Sequence, residues 1–197
     1  MGVLENCKKL MEAISKNLST INQEESEQLI KYLLSTVGDK RIFLVGSGRS
    51  GLVARSFATR LMHLGFNVSV IGETTTPPLR KGDVLIAVSG SGETTYPLTV
   101  AKEAKKLGAR IVAVTSFPDS PLGKTADLVV KIGGRVPAKE TKDYVTRQLS
   151  GEHEPLTPMG TLFELSTSIF FDALIAELAF RMGKKEEDLR ARHATVE

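Results

Sequence analysis

The stretch IFLVGSGRSGLVARSF, residues 42 to 57, decides how this chain of 197 residues folds. The apolar run Ile42–Val45 leads straight into Gly46-x-Gly48-x-x-Gly51, and an amphipathic segment follows. A continuous apolar run is what a strand covered on both faces requires. After it, Leu52, Val53, Phe57, Leu61 and Leu64 share one face of a helix that Gly65 terminates. The unit is strand, glycine turn, helix, an arrangement that aims backbone N–H groups at an anion.

The same grammar repeats outward. Apolar, β-branched runs at 41–45, 67–71, 83–88, 110–115 and 127–132 predict five buried parallel strands. Residues 97–107 predict a second crossover helix, with Leu98, Ala101, Ala104 and Leu107 on one face and Gly108 closing it. Pro97 suits its first turn, where the missing N–H is harmless. The link 72–82, GETTTPPLRKG, carries too much proline for a helix. Upstream, Leu4, Cys7, Leu10, Met11 and Ile14, then Leu29, Ile30, Leu33 and Leu34, recur at helical spacing, so residues 1–37 read as a helical pair. Residues 133–160 read as an irregular polar connection, and 161–197 return to helix. The expected fold class is α/β: a doubly wound, five-stranded parallel sheet of flavodoxin-like type, with an N-terminal helical pair and C-terminal helices. One domain spans 1–197, with its α/β core at 38–132.

Composition narrows the function classes. A net charge of +3 and a pI near 9.0 invite a nucleic-acid reading. Basic and acidic residues are interleaved, however, and no long basic run occurs, so no nucleic-acid partner is expected. Cys7 alone forms neither an internal disulfide nor a zinc site, which fits a reducing compartment. The N-terminus lacks a secretory pattern, and the apolar segment 161–182 carries Glu164, Asp172, Glu177 and Arg181. No membrane association and a cytoplasmic location are expected. That segment is apolar around most of its circumference, and such a helix must be covered on several sides. In a small chain this predicts a second copy as part of the cover, hence a homo-oligomer.

The glycine turn has two readings on spacing. Glu73 follows Gly51 by 22 residues, close to where a dinucleotide site places its ribose-binding acid. A second turn, AVSGSGETTYP at 87–97, decides against it. Ser89, Ser91 and Thr94 offer three hydroxyls within six residues at another strand-to-helix junction, which suits one tetrahedral phosphate. The candidate phosphate and sugar contacts are Ser47, Gly48, Arg49, Ser50, Ser89, Ser91 and Thr94.

Glu164 is the candidate base. It follows Gly160-Thr161 at a helix start, flanked by Leu162, Phe163 and Leu165. Apolar flanks make a carboxylate a better proton acceptor near neutral pH; the competing reading is a first-turn glutamate on the helix dipole. His193 lies on a charged terminal segment that reads by itself as solvated. His63 reads as a structural helix residue and His153 as a candidate lining residue. Neither has a partner at ligand spacing, so no metal is expected.

SGSGET after a strand, with GSGRSG upstream, resembles the sugar isomerase (SIS) domain family of phosphosugar binders. The resemblance runs through GRSGLVARSFATRLMHLGFNV, RQLSGEHEPLTPMGTLFE and the closing RHATVE. With those segments the chain is similar to the 6-phospho-3-hexuloisomerases within that family. The resemblance implies interconversion of D-arabino-3-hexulose 6-phosphate and fructose 6-phosphate, as in the ribulose monophosphate pathway, without a cofactor and in a tetramer with sites at subunit interfaces. It further implies Glu164 as base, His193 as a proton-handling group that enters a neighbouring subunit's site, and Arg147 and Gln148 as contacts to substrate or neighbour. Two alternatives stay open. One is another SIS phosphosugar isomerase, such as an arabinose 5-phosphate isomerase; the other is a non-catalytic phosphosugar sensor.

Overall fold

The structure is a computed structural model and describes residues 2–135 and 160–193. Strands β1 (Ile42–Gly46), β2 (Val68–Val70), β3 (Val84–Val88), β4 (Arg110–Thr115) and β5 (Leu128–Lys131) form one sheet in the order β2-β1-β3-β4-β5. Every neighbouring pair is parallel. The helices are α1 (Val3–Leu18), α2 (Gln23–Leu34), α3 (Gly48–Leu64), α4 (Thr95–Lys106), α5 (Pro121–Thr125), α6 (Thr161–Arg181) and α7 (Glu186–Arg190). The five expected strands are present, each within a residue or two of its expected ends. The proline-rich link forms turns and no helix, and α5 is a short helix the periodicity did not single out.

The sheet is buried on both faces because strand residues alternate between two cores. Ile42, Leu44, Val84, Ile86, Val112 and Val114 meet α2, α3 and α6 on one side. Phe43, Val45, Leu85, Ala87, Ile111 and Ala113 meet the small residues Ala101 and Ala104 of α4, with Leu122 of α5, on the other. The first layer is the thicker. Its centre is the pair Phe57 of α3 and Phe171 of α6, stacked with ring centroids 4.0 Å apart.

Helix α6 is covered chiefly from within the chain. Phe163, Phe170, Phe171, Leu174, Ile175 and Leu178 are buried, and α3, α1 and α2 supply the cover. Arg181 fastens its end to α2 through two bonds to Glu27, at 2.8 and 2.7 Å, and these hold the Glu27 carboxyl below its ordinary pKa. The composition of α6 therefore does not demand a neighbour, although Ile169 and Phe180 stay exposed, Phe180 at 81%. Three other expectations of burial are corrected. Leu52 of α3 and Leu107 after α4 are exposed, because Ala54 and Ala58, and Ala101 and Ala104, take the sheet-facing positions. On α1 only Ile14 is buried, and Leu4 and Met11 face outward.

Phe171→Ala is expected to destabilise the fold by about 3–5 kcal/mol, since it removes a stacked ring from the thicker core layer. Denaturant unfolding of the variant checks this; a loss under 1 kcal/mol would mean the α3–α6 contact contributes little.

Candidate active site

In an open parallel sheet, ligands bind beyond the carboxyl ends of strands where the strand order reverses. Here the reversal falls between β1 and β3, which pair side by side with Gly46 opposite Val88. Each strand leads directly into a glycine-serine turn and then a helix. A cleft of about 260 Å³ opens at that point, lined by Ser47, Gly48, Arg49, Ser50, Val88, Ser89, Gly90, Thr94, Arg135 and Glu164.

The glycines of the first turn serve backbone approach. A Cβ on Gly46 would sit 2.9 Å from Gly51 N and from Ser50 O, and one on Gly51 would sit 3.0 Å from Gly46 O. Gly48 has φ +54 and open space around it. Two of the three glycines thus let α3 start hard against β1, and the spacing follows from that packing. Glu73, the candidate ribose-binding acid, forms an exposed ion pair with Arg55 of α3 instead.

The two helices leaving these turns start in the same unusual way. Ser47 is the N-cap of α3 and Thr94 the N-cap of α4, both residues well suited to capping, yet neither side chain caps its helix. Both residues line the cleft, and a pair of helix N-termini at one cleft is an arrangement that suits an anion. Ser89 Oγ accepts from Gly92 N at 3.2 Å and donates to Thr94 Oγ1 at 3.3 Å, so the second turn holds its hydroxyls in order. Ser91 stands apart from the lining set. Its Oγ accepts from Glu93 N at 3.3 Å and lies 3.5 Å from Thr94 Oγ1, one step behind the cleft wall.

Glu164 enters from the first turn of α6 and is only 4% exposed. Its carboxylate meets Arg49 of α3, which donates from Nε. The flanks are apolar as expected, but the carboxylate itself faces a guanidinium from the first glycine turn. That bond joins the base candidate to the first glycine-serine turn, the candidate phosphate cradle.

His193 is not among them. It follows α7 and lies against His63 near the far end of α3, with ring centroids 5.1 Å apart. Ser50 and His63 sit at opposite ends of α3, about 20 Å apart by helical rise. Within the chain His193 is remote from Glu164. Arg147, Gln148 and His153 lie outside the described residues. Among the described residues no group of three or more His, Cys, Asp or Glu gathers as a metal would need, and no helix is long and apolar enough to cross a membrane.

Arg135 is the charged lining residue that sequence reasoning missed. Its signal was available: Gly133-Gly134-Arg135 places a cation after paired glycines, just beyond the carboxyl end of β5.

Comparison with known proteins agrees with this geometry. Residues 37–146 match the SIS domain. This chain belongs to the SIS domain family. A relative named 3-hexulose-6-phosphate isomerase from Bacillus subtilis is 39% identical over the full length of both chains. Another of that name, from Methylomonas aminofaciens, is 40% identical and aligns over 93% of this chain and 96% of its own. A solved structure from Methanococcus jannaschii superposes with a TM-score of 0.77 at 35% identity, covering 95% of this chain and 98% of that one. Its description infers a 3-hexulose-6-phosphate isomerase. The parallel five-stranded SIS sheet is thus common to both.

Gly92 tests how tightly the second turn is set. It has φ +66, and a Cβ there would fall 2.0 Å from Ser120 Oγ. Gly92→Ala is expected to cost about 1–3 kcal/mol of stability and to weaken inorganic phosphate binding by calorimetry. Adding Ser120→Gly removes the clash but not the strained φ, so it should restore only part of both. Phosphate affinity unchanged in Gly92→Ala would show that the turn does not shape the cradle.

Proposed function

We propose that this SIS protein is a 3-hexulose-6-phosphate isomerase, interconverting D-arabino-3-hexulose 6-phosphate and fructose 6-phosphate through a cis-enediolate. The observation that carries the reading is Glu164: a buried carboxylate that lines the same cleft as the hydroxyls of the two glycine-serine turns. A phosphosugar sensor needs the receptor and not the base. Full-length relatives of that name support the choice of sugar over other SIS substrates.

The phosphate rests on Ser47, Ser50, Ser89 and Thr94, with the N-termini of α3 and α4 and the backbone of Gly48 behind it; Ser91 supports the loop that carries Thr94. This fixes the sugar so that C2 faces Glu164. Glu164 takes the C2 proton, the C–H electron pair becomes the C2=C3 bond, and the C3 carbonyl pair moves onto its oxygen. Return of the proton to C3, with the hydroxyl proton passing from O2 to O3, leaves a C2 ketone. Atoms and charge balance without a metal or redox partner. Arg49 holds the carboxylate in place.

His193 completes the site from a second subunit. It opens the furanose form of fructose 6-phosphate by moving protons on the ring oxygen, and its distance from Glu164 within one chain supports action across an interface. The exposed apolar residues Val3, Leu4 and Met11 on α1, with Ile169 and Phe180 on α6, support a homo-oligomer, which we take as a tetramer. A single SIS domain over residues 1–197 and a cytoplasmic location, consistent with one exposed free cysteine, belong to the same reading.

A coupled assay tests it. Ribulose 5-phosphate, formaldehyde and a hexulose-phosphate synthase are expected to give fructose 6-phosphate with and without EDTA. Glu164→Gln should lower kcat by about 10²–10⁴-fold while inorganic phosphate still binds. Retained turnover in Glu164→Gln would remove it as the base.

His193 has its own test. Co-refolding Glu164→Gln with His193→Ala subunits should yield activity that neither parent has. Mixed oligomers no more active than the parents would deny His193 a role across the interface.

A further inference from the structure

The wild-type mechanism leaves one cleft residue without a task. Arg135 lines the cleft beside Glu164 and Arg49. Its Nε is buried and is the sole buried side-chain polar atom among the described residues without a hydrogen-bond partner. Burying a charged donor with no acceptor is unfavourable, and a ligand that supplies one would relieve it.

The fold makes room for this guanidinium at two glycines. A Cβ on Gly160 would lie 2.4 Å from Nε and 2.5 Å from Cζ, and a Cβ on Gly90 would lie 2.9 Å from Cγ and from Nε. Gly90 belongs to the serine-rich turn, and Gly160 is the N-cap of α6, one helical turn before Glu164. The backbone on which Arg135 rides is also pinned. Gly134 has φ +105, and a Cβ there would be 2.5 Å from Phe163 N. Asn17 Nδ2 donates to Gly133 O at 3.1 Å and to Ser166 Oγ at 2.8 Å, tying α1, α6 and this segment together. The slot is built before any ligand arrives, which is the condition for electrostatic stabilisation without reorganisation.

We propose that Arg135 is a substrate-contacting residue, holding the negative charge that develops on the C2 and C3 oxygens as Glu164 removes the proton. The proposal rests on the isomerase reading and names the group that stabilises its intermediate. The phosphate has the hydroxyls and helix N-termini for itself, and Arg49 is committed to Glu164. Arg135 is the cation left, and it packs on Gly160, one helical turn before the base. A planar guanidinium suits two adjacent enediolate oxygens, which it meets with parallel N–H groups.

The test separates this role from a phosphate anchor and from a structural one. Arg135→Met keeps an apolar stem over Gly90 and Gly160, and Arg135→Lys keeps the cation. The probes are inorganic phosphate and a phosphorylated aldonohydroxamate, whose planar oxygens imitate the enediolate. Arg135→Met is expected to bind inorganic phosphate as the wild type does, to bind the hydroxamate about 100-fold more weakly, and to lose kcat by about 10²-fold. Arg135→Lys should lose less hydroxamate affinity than Arg135→Met. Equal loss of phosphate and hydroxamate affinity with kcat intact would make Arg135 a phosphate anchor and overturn the assignment. Equal hydroxamate affinity in Met and Lys variants would deny the charge any part. Should Arg135→Met fail to fold, Arg135→Lys with wild-type kcat and unchanged hydroxamate affinity would overturn the need for the guanidinium fork. Absence of turnover in the wild type would sink the isomerase reading itself, and that outcome is distinct from all of these.

Discussion

Gly46 of β1 lies opposite Val88 of β3, and the rest of the site depends on that pairing. It brings two strand ends level, so that Ser47 and Ser89 leave the sheet side by side and the helices behind them start from neighbouring points. A shift of one residue along either strand would move its turn by about 3.3 Å and reverse which face each side chain meets. The register is held by the two cores. Ile42, Leu44, Val84 and Ile86 belong to one layer and Phe43, Val45, Leu85 and Ala87 to the other, so slippage would exchange large and small residues on both faces at once.

Close packing and anion binding are consequences of the same geometry. Gly46 and Gly51 approach within the space of a missing Cβ, which starts α3 immediately after the strand and sets its N-terminus at the cleft. Ser47 and Thr94 then stand at N-cap positions without capping. Leaving two helix starts without a side-chain cap is unfavourable, and an anion bound there would offset that cost. The buried, unpartnered Nε of Arg135 follows the same logic beside the second turn.

The candidate base comes from elsewhere in the chain. Helix α6 is long and buried through Phe163, Phe171 and Leu178, and its first turn carries Glu164 to the cleft. The stacked Phe57–Phe171 pair sets the position of α6 against α3. The Arg49–Glu164 bond connects the same two helices at the cleft end. Packing in the core and placement of the carboxylate are therefore one arrangement read at two depths.

Much of this was legible in the residues. Continuous β-branched apolar runs alternating with amphipathic segments point to buried parallel strands, and a glycine turn between strand and helix sits at a carboxyl edge, so the fold class and the candidate phosphate cradle were both read from pattern. Ser47, Ser50, Ser89 and Thr94 were visible because turn chemistry is local, within a few residues of the strand that ends. Proximity between distant segments was not visible. That Arg49 reaches Glu164 across 115 positions, that Arg135 fits over Gly90 and Gly160, and that His193 lies beside His63 depend on how helices pack over the sheet. The outward turn of Leu4, Met11, Leu52 and Leu107 has the same origin: periodicity marks a stripe, and only the facing layer determines which part of that stripe is covered. Sequence determined the elements and the local chemistry at their ends; tertiary structure decided which of those ends meet, because side-chain contact is set by packing in space and not by order along the chain.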